Sequence, residues 1–511
     1  MKNRSRMEYS IINSGISAIV YVLNVVVKFV SRSFFIAFLG ASYLGLNGLF
    51  TNVLSMLSLA ELGIGTSIVY SLYAPLANKN KQKIVSLMHL YKKIYSYIGL
   101  AVAILGILLI PFLPHIIGDA SEIPNILFIY LLFLANSVSS YFFTYNRSLL
   151  IADQKVYLTV INDFAFTVIS IIAQIVSLYM FNNFILYLII QIVGTLLGNI
   201  SLTLVVKKYY PFLKSTNIVT LDEETKVILK KNTIGNLSSK VGSVVVSGTD
   251  NIFISSFVGI STVGLYSNYL LIINSVRGLC GQITNSITSS IGNAVIDAND
   301  ELNKRIFKRH NFVNFTLIYF SSSVLITTMN LFIVFWVGES YLLSQETIFL
   351  IICNFILLMS RNSSLVFIEA FGLAWQQRWK SILEALINII LSFSFLYFFK
   401  LGINGVLLAT TISSLTTVCW IEPYVVYKFG LHDKVSSYLK LISKQLFVLL
   451  CNLIIVRVLL SDRFSPNLMG LFSSTMLTIF ISLIIYSIFY IRSSEMKFFL
   501  ELVLKVIRKR K

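Results

Sequence analysis

The sequence predicts an all-α, polytopic membrane protein: about fourteen transmembrane helices, as two pseudo-symmetric six-helix lobes plus two C-terminal helices. Three observations predict it. The chain of 511 residues is 56% hydrophobic and only 12% charged, with a mean hydropathy of +0.81, whereas soluble domains carry about 25% charged residues. Its apolar runs reach the roughly 20 residues that a helix needs to cross a bilayer. One short motif also occurs twice, far apart, in the same sense.

Taken in order, the apolar runs place helices at about 11–38, 44–73, 93–113, 124–147, 157–180 and 184–206. A second set falls at about 233–258, 262–293, 311–337, 346–372, 381–399 and 404–427, followed by 445–460 and 468–491. The resulting domains are a first lobe (1–206), a linker (207–232), a second lobe (233–427), two extra helices (428–491) and a basic tail (492–511). In the linker, Thr220 and Glu223 have the spacing of a capping box that opens a short polar helix. The tail MKFFLELVLKVIRKRK alternates apolar and basic residues at helical spacing, as a segment lying on an anionic leaflet does.

The net charge of +19 is mainly a topology signal. With the N-terminus inside, and Lys93 and Arg147 at inner helix ends counted as cytoplasmic, 33 of the 41 Lys and Arg fall in cytoplasmic segments, two (Lys400 and Arg463) fall outside, and six lie within helices. That bias puts both termini in the cytoplasm, and it argues against nucleic acid as a partner. The first apolar segment is too long for a cleaved signal sequence and is read as the first helix. Cys280, Cys353, Cys419 and Cys451 all sit in predicted spans, and the four histidines are scattered, so neither a disulfide framework nor a metal site is expected.

The repeat is FLGASYLGLNGLF from Phe38 and FVGISTVGLYSNY from Phe257, a shift of 219. Each copy lies at an outer hairpin, between helices one and two and between helices seven and eight. An even number of crossings separates them, so the halves run parallel, related by an axis near the membrane normal. The same shift aligns two polar stripes. Ser17, Tyr21, Asn24, Lys28, Ser31 and Arg32 fall on Asn236, Lys240, Ser243, Ser247, Asp250 and Asn251.

Ionisable groups at membrane depth cost about 2.5–3.5 kcal/mol each on insertion scales and are functional candidates by default. The basic candidates are Lys28, Arg32, Lys240, Arg277 and Arg361, with Arg457 read as a peripheral anchor. Lys28 and Arg32 lie one helical turn apart, where their charges repel unless an anion relieves them. A planar guanidinium beside a compact ammonium suits a diphosphate. The alternative for this pair is a salt bridge to Glu61 or Asp250. Asp250 and Glu61 are candidates for ion coupling by Na+ or H+, and a bridge from Asp250 to Lys240 or Arg277 is the alternative. Glu369 and Glu422 lie near inner helix ends, where solvation is easier, and Pro423 marks a bend or end of its helix. Gly194 and Gly198 form a small-xxx-small pair suited to packing.

No phosphate-binding G-x-x-x-x-G-K-[ST] loop occurs, so no ATPase is expected in the chain. No cofactor is called for, and no soluble segment is large enough for a catalytic domain.

FLGASYLGLNGLFTNVLSMLSLAELGIGTSIVYSLYAPLA resembles the first two helices of Wzx-type flippases, the polysaccharide-transporter branch of the MOP superfamily. NRSLLIADQKVYLTVIND resembles that family's junction of helices four and five, and LGINGVLLATTIS its entry to helix twelve. Many relatives place an Arg after the AELGIG glycines; this chain has Tyr70 there, so that residue's role does not transfer. The resemblance implies a non-enzymatic flippase of undecaprenyl-diphosphate-linked oligosaccharide units for capsule or O-antigen assembly in a bacterial plasma membrane. It implies a MATE-like fold, a cation-lined lumen, a lipid-linked oligosaccharide as substrate, and a polymerase and chain-length machinery as partners among membrane lipids. The rival readings are a lipid II flippase, a MATE-type cation or drug antiporter, and a membrane polysaccharide polymerase. The paired bases of the first helix favour an anion over an organic cation.

Overall fold

The computed structural model describes residues 6–58, 64–117, 123–214, 248–296, 300–460 and 463–497. These residues are helical without strands, and eleven of the helices are long and apolar enough to cross a membrane. The chain is a multi-pass membrane protein. Exposed side chains such as Ile19, Val22, Val26 and Val30 form an apolar flank on the first helix, opposite its polar stripe, as expected of a lipid-facing surface.

The element Arg6–Leu57 turns at Gly40, whose φ of 78° breaks it into limbs 6–39 (α1) and 41–57. The second limb resumes as Ile64–Ala77, and the two pieces together are α2. Then come α3 (Lys81–Leu108), α4 (Ile126–Ala152), α5 (Val156–Phe181) and α6 (Phe184–Tyr209). Helix α7 is described over 248–257, and α8 is Ile260–Ile296. Helix α9 is Asp300–Val337, and α10 is Gln345–Ser360 continued by Asn362–Ala370. Helix α11 is Lys380–Tyr397. Helix α12 is Ile403–Thr416, continued by Val418–Val425 and a π-helical turn, Val426–Gly430. The last two are α13 (Val435–Leu460) and α14 (Leu468–Tyr490). Among the described residues each apolar run has a helix in its place, the seventh over 248–257.

The helix ends follow local chemistry. The side chains of Asn80, Asn183, Ser344 and Asn467 accept the amide protons of Lys83, Leu186, Thr347 and Gly470, capping α3, α6, α10 and α14. Pro423 lies inside the final stretch of α12, whose backbone has already broken at Thr417 (φ −121°, ψ −85°) and relaxes to a π turn beyond it.

The chain divides into two compact units, residues 1–267 and 268–511, with the boundary inside α8. In the first, α3 packs on α4, α4 on α6, α5 on α6 and α1 on α5. In the second, α9 packs on α10, α10 on α12 and α11 on α12. Adding six to the first three pairs gives the second three, so the repeat is one of packing as well as of sequence. Helices α13 and α14 are additions that lie against α9 and each other.

Within the first unit the two copies of the repeated motif touch. Gly40 and Gly259, one shift apart, both hold positive φ (78° and 127°), which favours glycine, and both turn the chain into the following helix. A Cβ on Gly45 would fall 1.9 Å from the carbonyl oxygen of Ile260; one on Gly264 would fall 2.1 Å from that of Ala41. The small pair Gly194 and Gly198 does serve packing: α6 rests there on Ser170 and Phe166 of α5. The capping box at Thr220, the linker beyond Lys214 and the basic tail beyond Lys497 lie outside the described residues.

Candidate functional site

Helix α1 presents its polar stripe, which Asn13 extends one turn before Ser17, as the sequence spacing requires, but its members differ in surroundings. Asn13 is structural: its amide donates to the carbonyl of Gln154 (2.8 Å) and its oxygen accepts from the Tyr157 amide (3.0 Å), pinning α1 to the α4–α5 turn. Lys28 is exposed and has no hydrogen-bond or ion-pair partner among the described residues. One turn on, Arg32 is half-buried, and its Nη1 donates to Ser267 Oγ at 2.8 Å. Ser267 in turn donates to the carbonyl of Gly264, so Arg32 is tied to the repeated hairpin through one hydroxyl. Tyr187 of α6 lies beside Arg32 and bonds Ser31.

The second unit holds Arg277 and Arg361. Arg277 on α8 is exposed, without a hydrogen-bond or ion-pair partner among the described residues, and close enough to Arg361 for their like charges to act on each other. Arg361 sits at the break in α10 and is buried in an ion network. Its Nη2 donates to Glu422 Oε1 at 2.7 Å and its Nε lies 3.2 Å from both carboxylate oxygens. Glu422 also accepts from Lys380 Nζ at 2.5 Å, and Lys380 donates to Gln377 Oε1. Glu384 lies 3.6 Å from Arg361 Nη1 and accepts from Ser414 at 2.8 Å. Two cations and two carboxylates thus balance in a buried tetrad.

Glu422 is fully buried, which corrects the expectation of easy solvation near a helix end. The two cations, Arg361 and Lys380, stand in for the water that a carboxylate at a helix end would otherwise bind. Glu369, by contrast, is exposed. Lys380 escaped the sequence reading because it stands at the first residue of α11, where a lysine reads as interfacial. Its pattern signal was Lys380 and Glu384 at i, i+4.

A cavity of about 240 Å³ in the second unit opens onto this network. Arg361 and Glu422 are the charged members of its lining, and Leu415, Val418, Leu439 and Ile442 contribute to its apolar walls.

Asp250 on α7 is 8% exposed and lies within electrostatic range of Tyr266 on α8; Asn251 beside it is buried. Lys240, Glu61 and the remainder of the second polar stripe lie outside the described residues. Asp163 on α5 is held in a two-pronged pair by Arg147, at 2.5 and 2.8 Å. At the inner end predicted for α4–α6, Asp153 accepts from both Lys155 and Tyr210. Burial, then this bond to Asp153, holds the Tyr210 hydroxyl far above its ordinary pKa. The four cysteines are free. Among the described residues no cluster of His, Cys, Asp and Glu could hold a metal ion.

No protein-family model and no curated protein matches the chain. Solved structures do. The chain is similar to the lipid II flippase MurJ in an inward closed conformation, with a TM-score of 0.65 and 17% identity over 93% of this chain and 98% of that one. It is similar to a multidrug resistance MATE family transporter of the MOP superfamily in its inward-facing conformation, with a TM-score of 0.62 and 12% identity over 82% and 99% of the chains. An outward-facing MATE transporter matches at 0.56, again with 12% identity, over 83% and 96%. At these identities the likeness is one of fold: the chain has the helical architecture of these solved structures.

Proposed function

We propose that this protein is a flippase. It moves undecaprenyl-diphosphate-linked oligosaccharide repeat units from the inner to the outer leaflet of a bacterial plasma membrane for capsule or O-antigen assembly. One observation carries the reading: each unit holds an exposed cation without an ion-pair partner beside a half-buried or buried arginine, Lys28 with Arg32 and Arg277 with Arg361. Excess positive charge on membrane helices is costly, and a diphosphate is the ligand whose charge and donor demand offset it. Lys240, on the repeated stripe, is assigned to the same site.

Transport proceeds by alternating access of two lobes, 1–206 and 233–427, joined by the linker 207–232. The lipid tail stays in the bilayer while the cavity solvates the head. Asp250 and Glu61 couple the cycle to Na+ or H+. Both termini lie in the cytoplasm, and a polymerase and chain-length machinery take up the product.

A lipid II flippase is the second reading, favoured by the likeness of fold to MurJ. Both are tested by deleting the gene and profiling lipid-linked intermediates. Accumulation of a polyprenyl-diphosphate oligosaccharide on the inner leaflet supports the first; accumulation of lipid II supports the second. An unchanged profile of both overturns the flippase reading.

A further inference from the structure

The tetrad around Arg361 contains a redundancy that a purely structural ion pair does not need. Glu422 is fully buried and accepts from two cations at once, the guanidinium of Arg361 and the ammonium of Lys380. Lys380 is itself nearly fully buried and braced by Gln377. Glu384, which faces the other side of Arg361, has its own second donor in Ser414. Every carboxylate that touches Arg361 therefore keeps a partner if Arg361 leaves it. Removing one member of an ordinary buried pair strands a charge; here Lys380 stays with Glu422 and Ser414 stays with Glu384. The cavity of about 240 Å³ is lined by both members of this pair, and the rest of its lining is mostly apolar. Arg277 adds a further positive charge within range of Arg361.

We propose that Glu422 is an internal stand-in for an anionic phosphate head: the ligand displaces its carboxylate from Arg361, and Lys380 holds the displaced carboxylate. The occupant is an amphiphile whose phosphate meets Arg361 and whose chain lies along Leu415, Val418, Leu439 and Ile442. This rests on the diphosphate reading above and adds Glu422 and Lys380 to it as positioning residues. The same chemistry is offered by a polyprenyl diphosphate and by an ordinary anionic phospholipid.

The test uses the purified full chain in detergent, titrated separately with inorganic pyrophosphate, a polyprenyl diphosphate and phosphatidylglycerol. Bound ligand and thermal unfolding are read in parallel. Glu422→Gln removes the competitor, so the affinity for pyrophosphate should rise about tenfold, the scale of one charge-assisted hydrogen bond. The gain should vanish in Glu422→Gln combined with Arg361→Gln. Lys380→Gln leaves Glu422 with Arg361 as its remaining cation, so affinity should fall by a similar factor, and Lys380→Arg should restore it. A folded Glu422→Gln protein with unchanged or weaker affinity overturns the proposal. If that variant does not fold, an unchanged affinity in Lys380→Gln overturns it instead. Wild-type protein that binds none of the three ligands overturns the diphosphate reading and this inference together. Wild-type binding that depends on Lys28 and Arg277 but ignores Glu422 and Lys380 leaves the reading standing and rejects the exchange. A gain seen with phosphatidylglycerol and not with polyprenyl diphosphate supports the exchange and assigns the site to bulk lipid.

Discussion

Gly45 and Gly264, equivalent positions of the two motif copies, pack backbone to backbone, each against the carbonyl of the residue that opens the other's helix. The oxygen of Ile260 occupies the space of a Cβ on Gly45, and the oxygen of Ala41 that of a Cβ on Gly264. The contact is reciprocal under the shift of 219 that the motif itself displays. Such close approach is how membrane helices gain packing energy without a hydrophobic drive between them.

Alanine at either glycine should therefore force the two backbones apart. Gly45→Ala or Gly264→Ala should each destabilise by about 1–3 kcal/mol, the usual cost of overpacking. Gly48→Ala is the control, since its nearest neighbour would be a Val263 methyl carbon at 3.8 Å. Thermal unfolding in detergent reads the difference. Equal stability of the Gly45→Ala and Gly48→Ala proteins would contradict the close contact.

Charge at the two doublets should separate stability from binding. Arg277→Gln removes an exposed cation that repels Arg361, so its unfolding temperature should be unchanged or raised while pyrophosphate affinity falls several-fold. Lys28→Gln should behave alike. Arg361→Gln should instead destabilise, but by less than the about 3–5 kcal/mol of an ordinary broken buried pair, because Lys380 stays with Glu422 and Ser414 with Glu384. The measurement is thermal unfolding paired with a binding isotherm for each variant. A strongly destabilised Arg277→Gln protein would show that this residue holds structure and not ligand.

The Arg147–Asp163 pair offers an internal comparison. Its side chains are 35% and 41% exposed, against 13% and 0% for Arg361–Glu422. Where water reaches that exposed flank, screening limits such a pair to about 1 kcal/mol or less. Asp163→Asn should thus leave the unfolding temperature within a few degrees of wild type, and a collapse of stability would mean that the pair is buried in the bilayer-embedded protein.

How much of this was legible in the sequence follows from the physics of each signal. Apolar runs set helix count and order, because spanning hydrocarbon demands length and composition together. The motif around Gly45 and Gly264 revealed the repeat, and the two glycines proved to meet. Spacing along α1 gave its polar stripe but not the division of labour within it: Asn13 pins a turn on another helix, which no local pattern encodes. Arg277 and Arg361 were selected singly, since their proximity is tertiary. The tetrad was invisible as a unit because Lys380, Glu384 and Glu422 are assembled by the breaks in α10 and α12, and a break leaves a weaker trace in sequence than a span.

Topology makes a prediction that needs no ligand. With the native cysteines replaced, single cysteines at Gly40, Gly259 and Gly338 should react with an impermeant reagent from outside. Those at Asn80 and Asn303 should react only after permeabilisation. The motive is the partition of basic residues, 33 inside against two outside. External labelling at Asn80 would reverse the assignment and place both termini outside.

Asp250 tests energy coupling. It is a buried acid on α7, on the repeated stripe, next to Asn251 and near Tyr266. Asp250→Asn preserves shape and removes the charge. If the carboxylate binds Na+ or H+, vesicles containing the variant should still bind lipid-linked substrate, yet lose the acceleration of flipping that an imposed ion gradient gives the wild type. If it is instead a structural partner of a base, the variant should unfold at a lower temperature, because the base is left with an uncompensated charge. Neutralising Lys240 as well should then restore both stability and the response to the gradient. Only the structural role predicts a lowered unfolding temperature and its rescue by the second change, so the wild type, the single variant and the double variant decide between them. A stable Asp250→Asn protein that responds fully to Na+ and to H+ gradients removes Asp250 from both roles.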